Sequence, residues 1–139
     1  GRLLPSLRGA AQHGTGVKLS NGTQQRDFAY VGDIADGLLR LGLSAGPPGE
    51  AVNLATGRLT SVREFAETAA EVLKLPSDRL LFGAEPLRAD EMQITGVDVA
   101  RLGRRTHWTP DADLKSGIRR AVGFEESLEP NLNPIVPAD

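Results

Sequence analysis

The four residues Ser61-Val62-Arg63-Glu64 constrain the fold more than any other part of this sequence. A serine that can accept from a first-turn amide, with a glutamate three positions on, marks a helix start because the pair satisfies donors the helix itself cannot. Behind it Val62, Phe65, Ala66, Ala69, Val72 and Leu73 fall at helical spacing, and Pro76 ends the run. That stripe is expected to be core.

Around this helix the segments alternate. Residues 3–12 read as a short helix, with Leu3, Leu4, Leu7 and Ala11 on one stripe and Pro5 tolerated in its first turn. Gly14-Thr15-Gly16 closes it. Residues 17–19 read as a strand, and Asn21-Gly22 signals a hairpin turn toward a second strand over 26–31. Asp33 is expected to cap a helix reaching about residue 43, with Ile34, Leu38 and Leu41 on its buried face. Ala51-Val52-Asn53-Leu54 is short and mostly apolar, as a strand covered on both faces would be.

Further on, residues 80–82 read as a strand, Asp98 opens a short helix, and a last helix from about Leu114 turns Ile118 and Val122 inward. Trp108, before Pro110, is expected to anchor packing. Arg101, Arg104 and Arg105 read as a solvated face near a helix end. Residues 125–139 are rich in Pro, Asn and acids, which predicts a mobile tail behind a folded unit of residues 1–124.

The fold class is therefore α/β. Only residues 51–54 look like a parallel core strand, whereas a parallel sheet needs several strands joined by crossover helices. The chain thus reads as the end of an α/β protein rather than the whole. It opens on Gly1 rather than Met, which is expected where the first residue is not a translation start.

Chemistry points to Arg26-Asp27-Phe28-Ala29-Tyr30-Val31. An arginine and an aromatic two apart on a strand share one side of the backbone, placing a guanidinium beside a flat apolar surface. That combination suits a phosphate joined to a sugar or base, although Phe28 and Tyr30 suit core packing equally well. Arg88, with Glu91 three positions later, supplies a second guanidinium, so two separate segments can close on one pyrophosphate. Guanidinium is planar, permanently charged and able to bond two phosphate oxygens at once. A carboxylate only accepts, which suits a vicinal diol.

Composition narrows the alternatives. Sixteen Lys and Arg against eighteen Asp and Glu give a net charge of -2, which leaves no basic excess for nonspecific nucleic-acid binding. A DNA-reading role for the capped helix is disfavoured on the same ground. The absence of cysteine excludes disulfides and thiolate metal sites. No apolar run is long enough for a membrane span, and the start lacks the apolar core of a secretory signal. A cytoplasmic protein is expected. His13 and His107 have no acid or thiol pattern around them that would make either a ligand or a base.

Taken in order, Arg26-Asp27-Phe28-Ala29-Tyr30-Val31-x-Asp33, then Asn53-Leu54-Ala55-Thr56-Gly57 with Thr60-Ser61-Val62, then Arg88-x-x-Glu91 and Trp108-x-Pro110, resemble the C-terminal half of nucleotide-sugar epimerases and dehydratases. These are extended short-chain dehydrogenase/reductase enzymes, and the similarity runs from about Leu3 to about Val122. The resemblance implies the last parallel strand of a Rossmann sheet, at residues 51–54, plus a small mixed substrate-binding subdomain. It implies that Arg26 and Arg88 contact the diphosphate of a nucleotide sugar, that Glu91 holds the ribose hydroxyls, and that Phe28 lies beside the nucleotide. Residues 16–22, including Val17 and Leu19, would lie along the base. Gly32 departs from the pattern, standing where the family usually has the first of two acids.

The resemblance also implies NAD or NADP in the complete enzyme, bound by an N-terminal Rossmann portion that would be this chain's partner. Oligomeric state stays open, with a homodimer compatible. The chain itself is not expected to bind the cofactor. Gly14-Thr15-Gly16 follows a helix, whereas a dinucleotide loop follows a strand and opens a helix. The family's catalytic Tyr-x-x-x-Lys pair has no counterpart, since Tyr30, the only tyrosine, is followed four positions on by Ile34. The expected function is the substrate-gripping part of an epimerase or 4,6-dehydratase, not catalytic by itself. A stand-alone nucleotide-sugar-binding or assembly module is the alternative.

Overall fold

The computed structural model describes residues 2–87, 91, 92 and 94–128. The elements are α1 (Leu3–His13), β1 (Val17–Leu19), β2 (Gln25–Arg26), α2 (Val31–Leu43), β3 (Thr60–Ser61), α3 (Val62–Leu73), β4 (Leu80–Phe82), α4 (Ala100–Thr106) and α5 (Leu114–Leu128).

Helix α3 is the organising element. Ser61 Oγ accepts from the Glu64 amide at 3.0 Å, so the cap forms as its spacing requires. Phe65, Ala66, Ala69 and Ala70 are buried, and the three alanines let α1 and α5 pack closely on either side. Leu7 and Ala10 of α1, Leu19 and Leu80 of the strands, and Ile118 and Val122 of α5 complete the core. Gly14 ends α1 in the left-handed conformation, its amide returning to the Ala10 carbonyl.

The strands pair differently from the hairpin expected at Asn21-Gly22. β1 runs parallel to β4, with Val17 opposite Leu80 and Leu19 opposite Phe82. Gly22, at φ 74°, instead presses against the first turn of α3, where the Arg63 amide donates to its carbonyl at 2.9 Å. A Cβ there would stand 2.9 Å from the Arg63 backbone nitrogen, so the turn serves docking onto a helix rather than strand reversal.

The strand expected over 26–31 is only two residues long. β2 pairs antiparallel with β3, Arg26 opposite Thr60, and α2 has already begun at Val31. Phe28 and Tyr30 therefore do not share a strand face with Arg26. Tyr30, not Asp33, holds the N-cap position of α2. Asp33 lies within the first turn, buried, accepting from the Ala112 amide at 3.2 Å with Arg120 at 3.8 Å. Its carboxylate thus ties α2 to the approach to α5.

Residues 51–54 form no ladder, because among the described residues no strand lies beside them. α2 likewise buries Asp33 and Gly37 rather than the expected leucine stripe. Ile34 and Leu41 are half-buried, and Leu38 is 60% exposed, joined on the surface by Val31, Leu39 and Leu43. A second apolar cluster holds α2 to α4. Leu102 is fully buried, Trp108 lies against Gly37, and the Arg40 guanidinium stands 5.5 Å from the indole centroid. The anchoring role expected of Trp108 is met.

Of the arginines read as a solvated face, Arg101 and Arg104 are exposed as expected, whereas Arg105 is not. Arg105 is only 18% exposed and pairs with Glu50 at 3.0 Å, while Arg101 donates to the Ala51 carbonyl at 2.6 Å. Together they fasten the loop after α2 to α4. α4 starts at Ala100, whose amide donates to Asp98 at 2.8 Å. α5 continues to Leu128, four residues into the segment read as tail.

Candidate functional site

Arg26 projects from a two-residue strand. Its Nη1 donates to the carbonyls of Gln25 at 2.7 Å and Met92 at 3.3 Å, and its Nη2 pairs with Glu91. The Arg26 side chain is 30% exposed and that of Glu91 13% exposed, so solvent reaches the guanidinium while the carboxylate is largely covered. The 26 and 91 regions thus meet in a direct ion pair, a contact that the separate expectations for Arg26 at a diphosphate and Glu91 at ribose hydroxyls did not include. Arg88 lies outside the described residues.

Phe28 stacks on Phe65, ring centroids 4.2 Å apart and planes 27° from parallel, which secures it to the core. It borders two clefts. One, of about 270 Å³, is apolar and lined by Leu4, Tyr30, Leu114 and Ile118 among others. The other, of about 620 Å³, is polar and includes Thr56, Arg58, Glu64, Glu71 and Lys115. Arg26 and Glu91 line neither cleft. Val17 and Leu19 occupy β1, where Leu19 is buried and its carbonyl accepts from the Glu85 amide at 3.1 Å. Beside this sheet the Arg63 guanidinium lies 3.8 Å from the Phe82 ring centroid and donates to the Asn21 carbonyl at 3.2 Å.

One residue that sequence reasoning did not single out is central here. Asp27 accepts from the Thr56 amide at 2.9 Å, the Thr56 hydroxyl at 2.8 Å and the Gly57 amide at 2.8 Å. A carboxylate taking three donors from one turn is a strong, charge-assisted clamp. The available signal was the short polar Thr56-Gly57 pair at the end of an apolar run, which offers amides to an anion.

Gly32 explains its own departure from pattern. The Tyr30 ring lies over it so closely that any Cβ would overlap the ring. Tyr30 also sits 5.7 Å beneath the Arg120 guanidinium, and so belongs to packing between α2 and α5.

Gly14-Thr15-Gly16 does not have the setting of a dinucleotide loop. Gly14 closes a helix and β1 follows, the reverse of the strand-glycine-helix order that aims amides at a pyrophosphate. Among the described residues, no group of three or more His, Cys, Asp or Glu side chains could hold a metal ion. No described helix is long and apolar enough to cross a membrane. Two carboxyl groups sit below their ordinary range. The Ser116 amide does this to Asp113, and Lys115, by hydrogen bond and then by charge, does it to Glu71.

Residues 1–55 match the model of the NAD dependent epimerase/dehydratase family. A putative UDP-glucose 4-epimerase of Methanocaldococcus jannaschii is 31% identical over 108 residues, 78% of this chain and 33% of that protein. The chain thus spans about a third of the length of the curated relatives it matches. Among solved structures, UDP-glucose 4-epimerase of Thermotoga maritima with UDP-glucose superposes with a TM-score of 0.77, at 21% identity, over 91% of this chain and 40% of its own. The dTDP-glucose 4,6-dehydratase of Bacillus anthracis in complex with NAD also gives 0.77, at 19% identity, over 93% of this chain and 40% of its own.

Proposed function

The chain belongs to the NAD-dependent epimerase/dehydratase family, and from that premise we propose that it grips the diphosphate of a nucleotide sugar for such an enzyme. Its fold is the C-terminal part of a Rossmann-type extended short-chain dehydrogenase/reductase.

The observation that carries this reading is the Arg26 guanidinium. It is mounted on a paired strand, partly open to solvent, and matched with a carboxylate from a segment 65 residues away. In the proposed complex Arg26 and Arg88 take the two phosphates, each able to bond two oxygens. Glu91 accepts from the ribose hydroxyls, Phe28 lies beside the nucleotide, and residues 16–22 run along the base. Holding the nucleotide at both phosphates and ribose fixes where the sugar carbon lies, which is the contribution positioning makes to rate.

The cofactor, NAD or NADP, and the acid-base pair would be supplied by an N-terminal Rossmann portion of the intact protein. The isolated chain would then not catalyse. Support for such a partner comes from α2, whose Val31, Leu38, Leu39 and Leu43 are exposed together, and from the unladdered residues 51–54.

The test uses the intact protein, with UDP-glucose and dTDP-glucose as first probes. Arg26→Ala and Arg88→Ala should each weaken nucleotide-sugar binding about ten- to a hundredfold, the scale of a lost charged hydrogen bond. NAD binding should persist. Unchanged Michaelis constants for the sugar nucleotide in both variants would defeat the assignment.

A further inference from the structure

We propose that Asp27 is the positioning residue for the Arg26 guanidinium, and that it acts through the Thr56-Gly57 turn. This rests on the reading of Arg26 as a diphosphate contact.

A two-residue antiparallel ladder is a weak mount for a long, flexible side chain. β2 and β3 are each two residues long, yet Arg26 must meet a phosphate from a defined direction. The residue after Arg26 supplies the missing rigidity. Both Asp27 oxygens are engaged, Oδ1 by the Thr56 amide and hydroxyl and Oδ2 by the Gly57 amide.

The receiving turn is itself closed. The Arg58 amide donates back to the Thr56 hydroxyl at 3.1 Å. Gly57 stands at φ 75°, and a Cβ there would come within 3.1 Å of Val99. Three residues on, the same segment becomes β3, whose Thr60 lies opposite Arg26. Arg26 is therefore gripped twice by one stretch of chain, across the ladder at Thr60 and through Asp27 at Thr56-Gly57.

A negative charge next to a diphosphate site is electrostatically unfavourable, so its presence needs a reason. The reason is geometric: only a carboxylate can accept all three donors, whereas an amide keeps one accepting oxygen. Position and charge thus predict opposite results for Asp27→Asn. Removing a nearby negative charge alone would strengthen diphosphate binding. Releasing the clamp would weaken it.

The experiment measures, by calorimetry on the intact protein, the preference for a nucleoside diphosphate over its monophosphate. UDP with UMP, dTDP with dTMP, GDP with GMP and CDP with CMP are compared, and the tightest-bound pair is carried forward. Asp27→Asn should cut that preference by at least about tenfold, as small misplacement of a contacting group does. In an Arg26→Ala background the same substitution should bring no further loss, because a clamp acting through Arg26 has nothing to position once Arg26 is gone. Thr56→Val removes the hydroxyl that donates to Asp27 and accepts from the Arg58 amide but leaves both backbone amides of the clamp. It should give a loss in the same direction and covers the case where Asp27→Asn does not fold.

An unchanged or larger preference in folded Asp27→Asn or Thr56→Val overturns the inference. An equal loss with and without Arg26 also overturns it. If Arg26→Ala alone leaves the preference intact, or no pair binds, it is the diphosphate reading that fails, and the inference with it.

Discussion

Arg26 and Glu91 form an ion pair between β2 and a segment 65 residues downstream, with Glu91 the more deeply covered partner. On the proposed reading, a diphosphate arriving at Arg26 exchanges places with that carboxylate at Nη2. Exchange keeps the guanidinium paired before and after binding, while Glu91, the more covered partner, needs new donors such as the ribose hydroxyls.

Glu91→Gln should accordingly let inorganic pyrophosphate bind about two- to fivefold tighter, the range expected for a partly exposed ion pair. Competition calorimetry with pyrophosphate measures this directly. Unchanged or weaker binding would mean the pair is not what the anion displaces.

Two glycines of α2 should respond in opposite directions to the same substitution. Gly42 faces open space, so Gly42→Ala should stabilise by a few tenths to about 1 kcal/mol through helix propensity. Gly37 is buried where any Cβ would overlap Leu54 and crowd the Trp108 ring, so Gly37→Ala should cost about 1–3 kcal/mol from overpacking. Urea unfolding of both variants gives the signs, and equal signs would contradict the packing of α2.

Leu7 is fully buried at the contact of α1 with α3. Leu7→Ala should destabilise by about 2–5 kcal/mol through lost transfer energy and a residual cavity. A loss under about 1 kcal/mol, read from denaturant midpoints, would place α1 outside the cooperative core.

Acid should weaken the fold through Asp113 and Glu71. The Ser116 amide lowers the Asp113 carboxyl, and the Lys115 hydrogen bond, then its charge, lowers Glu71. A folded value below the unfolded one means the stabilisation is complete above the unfolded value and is lost as pH falls through the folded one. Stability should therefore decline below about pH 4. Both groups are exposed, so their share is small and salt-sensitive. Lys115→Met should make the acid limb of a pH series shallower, and an identical limb would remove Glu71 from the account.

Local signals in the sequence succeeded where the chain settles its own hydrogen bonds. Ser61, the Val62–Leu73 stripe and the stop at Gly14 follow from caps and periodicity alone. Pairing was less legible. Asn21-Gly22 carries a hairpin signal, but the first turn of α3 competes for its carbonyls and wins. Residues 51–54 and the apolar side of α2 illustrate the opposite case, since a buried pattern appears in the sequence with no covering surface among the described residues. At the site, the charge types of Arg26 and Glu91 were readable, whereas their direct pairing and the Asp27 clamp depend on backbone turns that residue identities do not specify. Arg105 misled for a related reason: a basic run at a helix end looks solvated until a loop with Glu50 folds over part of it.

The parallel pairing of β1 with β4 sets an order on assembly. Val17 and Leu80 meet only after about sixty intervening residues have been drawn into a loop, and the entropy of that closure precedes any reward from the ladder. Helix α3, with its own cap and apolar stripe, lies inside that loop and shortens it by folding. The strand pair is thus a late seal on a helical scaffold, and a substitution that delays α3 will delay the sheet that lies beside it.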